Sequence, residues 1–297
     1  MSESAGHPGA HAAHIDLQAT DGAQARVYLD GGQVASWIPA GSTDDRLFVS
    51  RNARYGAGQS IRGGIPICFP QFGATGALQQ HGFARNSLWR VVRETNGADG
   101  AQAVLELTDN AATRVMWPFA FHAELSVHVA SASLTVALTV TNTDGQPFEF
   151  TAALHPYFRV RDAYATHIRG LAGTRYRDAL QGGAEFAEAR DQVTVQGEVD
   201  RVYFNTPDVL EMVEPHRILR VEKRGFPDAV LWNPGRAGTT SRTDFADGDE
   251  YDMVCLEAGA IGTRVSLAPG AQWTGTQIMT AVTSVAPPVS GVRYQSL

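Results

Sequence analysis

Two residues of this 297-residue chain have the type and the setting for proton transfer. His155 closes the apolar alternation Phe148, Phe150, Ala152, Leu154 on the opposite phase, and Pro156 comes next, where regular strand pairing must end. An imidazole fixed at a strand end titrates near neutral pH and can give or take a proton there. A structural histidine would carry the same signature. Glu257 ends the hydrophobic run 253–256 and is followed by small residues. Apolar surroundings raise a carboxyl toward the range of a useful base, and the alternative is a strand-end carboxylate that points to water. The separation, 257 − 155 = 102 residues, means that only the tertiary fold can bring the two together.

Two further segments offer polar groups that folding does not require. Residues 61–70 read Ile-Arg-Gly-Gly-Ile-Pro-Ile-Cys-Phe-Pro, in which two glycines after Arg62 allow a tight turn and two prolines hold the next residues extended. A surface turn with Arg62 in water reads the same way. Residues 79–86 read Gln-Gln-His-Gly-Phe-Ala-Arg-Asn, where Gln79, Gln80, His81, Arg85 and Asn86 surround Gly82 and Phe83. Hydrogen-bonding side chains beside an aromatic ring suit a sugar, whose hydroxyls want partners and whose apolar face wants a ring. An ordinary polar loop is an equal rival, and His81 reads as a catalytic acid, a binding donor or a core residue.

The elements that must position these groups are strands. Residues 121–129 alternate Phe121, Ala123, Leu125, Val127, Val129 with polar neighbours, and after a Ser/Ala turn residues 134–140 do the same, which reads as an antiparallel hairpin with one wet face. Shorter runs of that kind occur at 25–29, 33–38, 101–108, 148–154, 201–204, 216–222, 229–232, 253–257 and 273–285. The best helical candidate, 179–189, contains Gly182 and Gly183. Many short strands between turns, with no strand–helix alternation, predict an all-β chain: one large antiparallel β-sandwich with few short helices, spanning residues 15–297. Residues 1–14, rich in Gly, Ala and His, are expected to be a flexible leader.

Composition removes several function classes. Lys+Arg 24 against Asp+Glu 31 leaves a net charge of −7, which argues against nucleic acid or an anionic membrane as partner. The only lysine, Lys223, lies in the charged run 221–224 and is expected in water, so neither a P-loop nor a Schiff-base lysine is expected. Cys68 and Cys255 each lie in an apolar run, which predicts buried reduced thiols in a cytoplasmic protein. No stretch has the apolar length of a membrane span.

In order along the chain, IRGGIPICFPQFG from Ile61, QHGFARNSLW from Gln80, TRVMWPFAF from Thr113, LHPYF from Leu154, DRVY from Asp200, VLWNPG from Val230 and LEAG from Leu256 resemble the aldose 1-epimerase, galactose mutarotase-like family. The resemblance is strongest to its glucose-6-phosphate 1-epimerase, or hexose-6-phosphate mutarotase, branch. It implies a β-supersandwich with a sugar cleft across one sheet, His155 as general acid toward the ring oxygen, and Glu257 as base toward the anomeric hydroxyl. It also implies substrate contacts from Arg62, Gln80, Arg85 and Asp200, with His81 a further pocket candidate. The implied reaction exchanges the α and β anomers of a phosphorylated hexose by opening and reclosing the ring, with neither metal nor cofactor, in a protein expected to be a monomer. Arg62 and Arg85 are the first choices for the phosphate, with Arg90 nearby. Two other readings stay open: a glycosidase or lyase using Asp200 and Glu257 with His155 remote, and a sugar-binding protein that catalyses nothing.

Overall fold

The computed structural model describes residues 12–283. The expected leader therefore lies, up to residue 11, outside the described residues, and His14 already opens the first strand, His14–Gln18. That strand, Gln24–Tyr28 and Gln33–Ile38 form a small antiparallel sheet. The rest of the described chain is dominated by one sheet of eight strands and one of nine.

The nine-stranded sheet contains the expected hairpin, Phe121–Ala130 and Ser133–Asn142, paired from Phe121 opposite Asn142 to Ala130 opposite Ser133. Its alternation of buried and half-buried positions follows the period of two read in the sequence, because successive side chains leave opposite faces of a strand. The hydrophobic core draws on both large sheets: Leu125, Leu138 and Met279 from one, Phe150, Leu231 and Leu256 from the other. Phe150 and Trp273 meet across the layers, with ring centroids 5.5 Å apart.

In the eight-stranded sheet, Val199–Phe204, Asp228–Asn233, Met253–Leu267 and Phe148–Leu154 lie side by side in that order, and Tyr157–Arg159 extends the last position along Met253–Leu267. Along Met253–Leu267 the even residues Val254, Leu256 and Ala258 enter the core. The odd residues Met253 and Cys255 join Phe48, Tyr157 and Phe245 in a second cluster on the other face. Both faces are covered there, so the sequence shows an unbroken apolar run rather than alternation.

One candidate falls away and one expectation is corrected. Residues 179–189 are not helical: a 3₁₀ turn, Ala179–Gln181, ends at Gly182 and Gly183, both with positive φ (66° and 80°), and a strand Ala184–Ala187 comes after it. Lys223 is not in water. It is 1% exposed, and its Nζ donates to the carbonyls of Thr206, Phe226 and Pro227 at 3.2, 3.0 and 3.4 Å. Its strand neighbours Glu222 and Arg224 point the other way and pair with each other, so the charged run straddles a sheet with one dry side.

Candidate active site

Strand register explains how residues 102 positions apart meet. Leu154 pairs with Ala258, and beyond Pro156 Tyr157 pairs with Cys255 on that same strand. Counting in register from either side sets His155 opposite Glu257, where Pro156 interrupts the ladder. His155 Nε2 lies 3.1 Å from Glu257 Oε1. Glu257 pairs in turn with Val230, and Val230 with Val202, so one row of side chains runs from His155 across three strands. Two residues along, Asp200 pairs with Trp232 and Trp232 with Cys255, forming a second row that Tyr157 completes.

These rows floor a cavity of about 500 Å³, a size suited to a small organic ligand. The candidates His155, Glu257, Arg62, Gln80, His81, Arg85 and Asp200 all line it. Two loops bring in those that are not on the floor. At Arg62 the chain threads between two neighbours, with Ser50 N donating to Arg62 O and Ile65 N to Val34 O. Gly63 and Gly64 (φ 127° and 60°) are required there, because a Cβ on either would run into the carbonyl of Phe48 or Val34. The 79–86 loop is anchored by buried Phe83 and by Phe83 N donating to Phe69 O, and a 3₁₀ turn, Ala84–Asn86, carries Arg85.

Burial governs the electrostatics. Glu257 is 2% exposed, and desolvation, helped by the nearby Asp200 charge, holds its carboxyl well above the usual range. His155 is pushed well below the usual imidazole value by burial and by the neighbouring His81 and Arg85. Glu257 Oε2 and His155 Nδ1 are both buried with no hydrogen-bond partner among the described residues. Orphaned groups of that kind cost about 1–3 kcal/mol each until something bonds to them. Tyr157 stacks on the His155 ring, centroids 4.9 Å apart at 13°, and Trp232 meets its edge at 5.9 Å.

His81 is held with φ 67°, and its Nδ1 accepts from Gly73 N at 3.2 Å, with Cys68 Sγ also 3.2 Å away. Burial first, then Arg85 and Arg62, push its pKa down to about 3. His81 is therefore neutral with its proton on Nε2, which makes it a donor. Asp200 is raised by burial and by Glu198 and Asp178. Cys68 and Cys255 are free and buried, as expected.

The arginines differ from one another. Arg62 is not in water: Nε and Nη2 lie 3.0 and 2.9 Å from Asp244 Oδ2, Nη1 donates to Tyr157 Oη at 2.9 Å, and the guanidinium covers the Phe245 ring at 4.8 Å. Burial opposes its charge, but Tyr157 and Asp244 outweigh it and raise its pKa. Arg85 donates to Gln80 O at 2.8 Å. Arg90 lies elsewhere, on the strand Arg90–Gly97, paired with Glu106. Arg177, Arg242, Tyr157 and Trp232 also line the cavity, and the sequence reading did not single them out. For Arg177 the signal was the cross-strand period, legible only once the pairing of Arg175–Asp178 with Val199–Phe204, which sets Arg177 opposite Val202, is known.

Among the described residues no helix is long and apolar enough to cross a membrane. The family model for aldose 1-epimerase matches residues 13–280. Two curated relatives named "Putative glucose-6-phosphate 1-epimerase" are 38% identical over 270 residues, from Cenchrus ciliaris, and 34% identical over 249 residues, from Escherichia coli. The first alignment covers 88% of this chain and 82% of the relative, and the second 82% of each. The crystal structure of a "putative mutarotase (YeaD)" from Salmonella typhimurium superposes with a TM-score of 0.82 at 28% identity, covering 88% of both chains. A structure from Synechocystis shares the fold at a TM-score of 0.80 and 23% identity, covering 96% of this chain and all of that one. The chain is an isomerase and belongs to the aldose 1-epimerase family.

Proposed function

We propose that this chain interconverts the α and β anomers of a hexose 6-phosphate, glucose 6-phosphate first among them, with Glu257 as base and His155 as acid. The observation that carries the reading is the contact between those two side chains on the floor of a sugar-sized cavity. Glu257 takes the proton of the anomeric hydroxyl, the C1–O5 bond breaks toward O5, and O5 takes the proton of His155 Nε2. The aldehyde turns about C1–C2 and the same steps run backward on its other face. No electron is gained or lost and the pair's proton count is unchanged.

Burial sets where the shared proton rests in this cycle. Carboxylate with imidazolium and carboxylic acid with neutral imidazole hold the same number of protons, and desolvation disfavours the charged arrangement. At rest the pair is therefore carboxylic acid and neutral imidazole, so the proton crosses the 3.1 Å contact from Glu257 to His155 before the ring opens, and the neutral state returns as it opens. His81 Nε2–H, Asp200 and Gln80 serve the sugar hydroxyls. Among the described residues, Arg85, Arg177 and Arg242 line the cavity without a carboxylate within ion-pair distance, which suits them to the phosphate, whereas Arg62 is held by Asp244. Two free thiols fit the cytoplasm. Hydrolysis by Asp200 and Glu257 required His155 to be remote, and it touches Glu257.

Exchange NMR on the anomers of glucose 6-phosphate, with glucose and galactose alongside, tests the reading. Catalytic amounts of protein should accelerate exchange of the phosphorylated sugar above the buffer rate and above any effect on the free sugars. Exchange at the buffer rate would overturn it, and a stronger response from the free sugars would overturn the phosphate.

A further inference from the structure

A second cavity, of about 480 Å³, shares no lining residue with the first. It lies where the loop of residues 39–46, the hairpin turn at Ala132, residues 161–165 and the turn between Val209–Glu214 and Arg217–Arg224 come together beside Ala281. Three arginines, Arg46, Arg161 and Arg217, line it. Among the described residues one carboxylate is committed to them. Glu214 Oε1 pairs with Arg217 Nε, and Glu214 Oε2 accepts from the backbone N of Arg161 at 2.9 Å, so both of its oxygens are used.

Arg46 and Arg161 have no carboxylate within ion-pair distance among the described residues, although Asp44 and Asp162 stand on the rim. Asp162 accepts from Tyr164 N at 2.9 Å. Arg46 Nε is buried with no hydrogen-bond partner. Burial, and then the charge of Arg217, lower the pKa of Arg46; Asp44 and Glu214 offset part of this, and Arg161 adds to the repulsion. Neither carboxylate is in contact with Arg46, and guanidinium forks match phosphate oxygens in pairs. The cavity is larger than a bare anion needs, and Pro39, Ala40, Ala132 and Pro215 give it apolar wall.

We propose that this cavity is a second binding site, separate from the sugar cavity, for a small organic phosphate monoester whose phosphate sits on Arg46, Arg161 and Arg217 and whose body rests on the apolar wall. Phenyl phosphate and inorganic phosphate are the probes, titrated calorimetrically into the full chain.

The expected result is saturable phenyl phosphate binding, at least about tenfold tighter than inorganic phosphate, that weakens at least about tenfold in Arg46→Gln/Arg161→Gln and persists in Arg62→Gln/Arg85→Gln. Ala132→Phe, which fills the cavity without touching its charges, should abolish the same binding, so a poorly folding double variant leaves the test intact. Anomer exchange and thermal unfolding of Arg161→Gln should match the parent. Binding that vanishes with Arg62→Gln/Arg85→Gln and survives the other variants assigns it to the sugar cavity and overturns the site. Equal affinity for the two probes overturns the ligand class.

Discussion

Glu257 Oε1 and His155 Nε2 lie 3.1 Å apart because the two residues face each other across antiparallel strands, one step beyond the pair Leu154–Ala258. A base and an acid in contact, both buried, share one transferable proton, and each expectation about rate depends on where that proton is.

Glu257→Gln keeps the shape of the site and removes the base. The rate of anomer exchange should fall by about 10²- to 10⁴-fold, the usual worth of a positioned acid–base group, while sugar phosphate binding changes little. Exchange NMR paired with calorimetry checks both. A variant that binds and still exchanges at the parental rate would mean that Glu257 moves no proton, and the sugar-binding reading would replace the enzymatic one.

The pH profile should be a broad plateau with two limbs. The active pair carries one proton. Burial raises Glu257, so losing that last proton requires a more alkaline solution than for a free carboxyl, and burial lowers His155, so adding a second requires a more acidic one. Asp200→Asn removes a negative charge that raises Glu257. The carboxyl then ionises more readily, and the alkaline limb of the rate should move to lower pH. An alkaline limb that stays in place or moves upward contradicts this account of the pair.

The two catalytic candidates were legible because each sits where a strand pattern breaks: His155 out of phase before Pro156, Glu257 at the end of a run with no polar residue of its own. Their meeting was not, since it depends on which strands are neighbours. The hairpin 121–140 was legible because one face is wet. Arg90–Gly97 was missed: it is an edge strand, exposed at seven of eight positions by its own pattern, and carries charge in place of apolar alternation. Arg242 and Asp244 come after the short helix Gly235–Thr240, where no periodicity marks a direction.

Arg177 and Arg242 should separate phosphorylated from free sugars. Neither has a carboxylate partner among the described residues; Arg242 donates to Gly238 O at 2.7 Å and Arg177 lies over Phe204 at 5.6 Å. Losing one charge-assisted contact costs about 1.5–3 kcal/mol, or roughly tenfold and upward in binding. Arg177→Gln with Arg242→Gln should raise KM for glucose 6-phosphate by about that factor and leave the free hexose nearly unchanged. Equal losses for both substrates would place these arginines on the sugar ring instead.

Lys223 tests the fold apart from the chemistry. Its Nζ is the shared donor to three carbonyls, those of Thr206, Phe226 and Pro227, around the turn that enters the strand Asp228–Asn233 of the cavity floor. Burying an ammonium is costly, and burial does lower its pKa, so a well-packed apolar replacement could in principle gain stability. That gain requires both partners to become apolar, and the three carbonyls cannot. Lys223→Met should therefore cost about 3 kcal/mol, from acceptors left without a donor. Urea unfolding monitored by tryptophan fluorescence would show a lower midpoint at unchanged slope, with anomer exchange per folded molecule preserved. A midpoint equal to the parent's would mean that water reaches those carbonyls and that the lysine is dispensable to the turn.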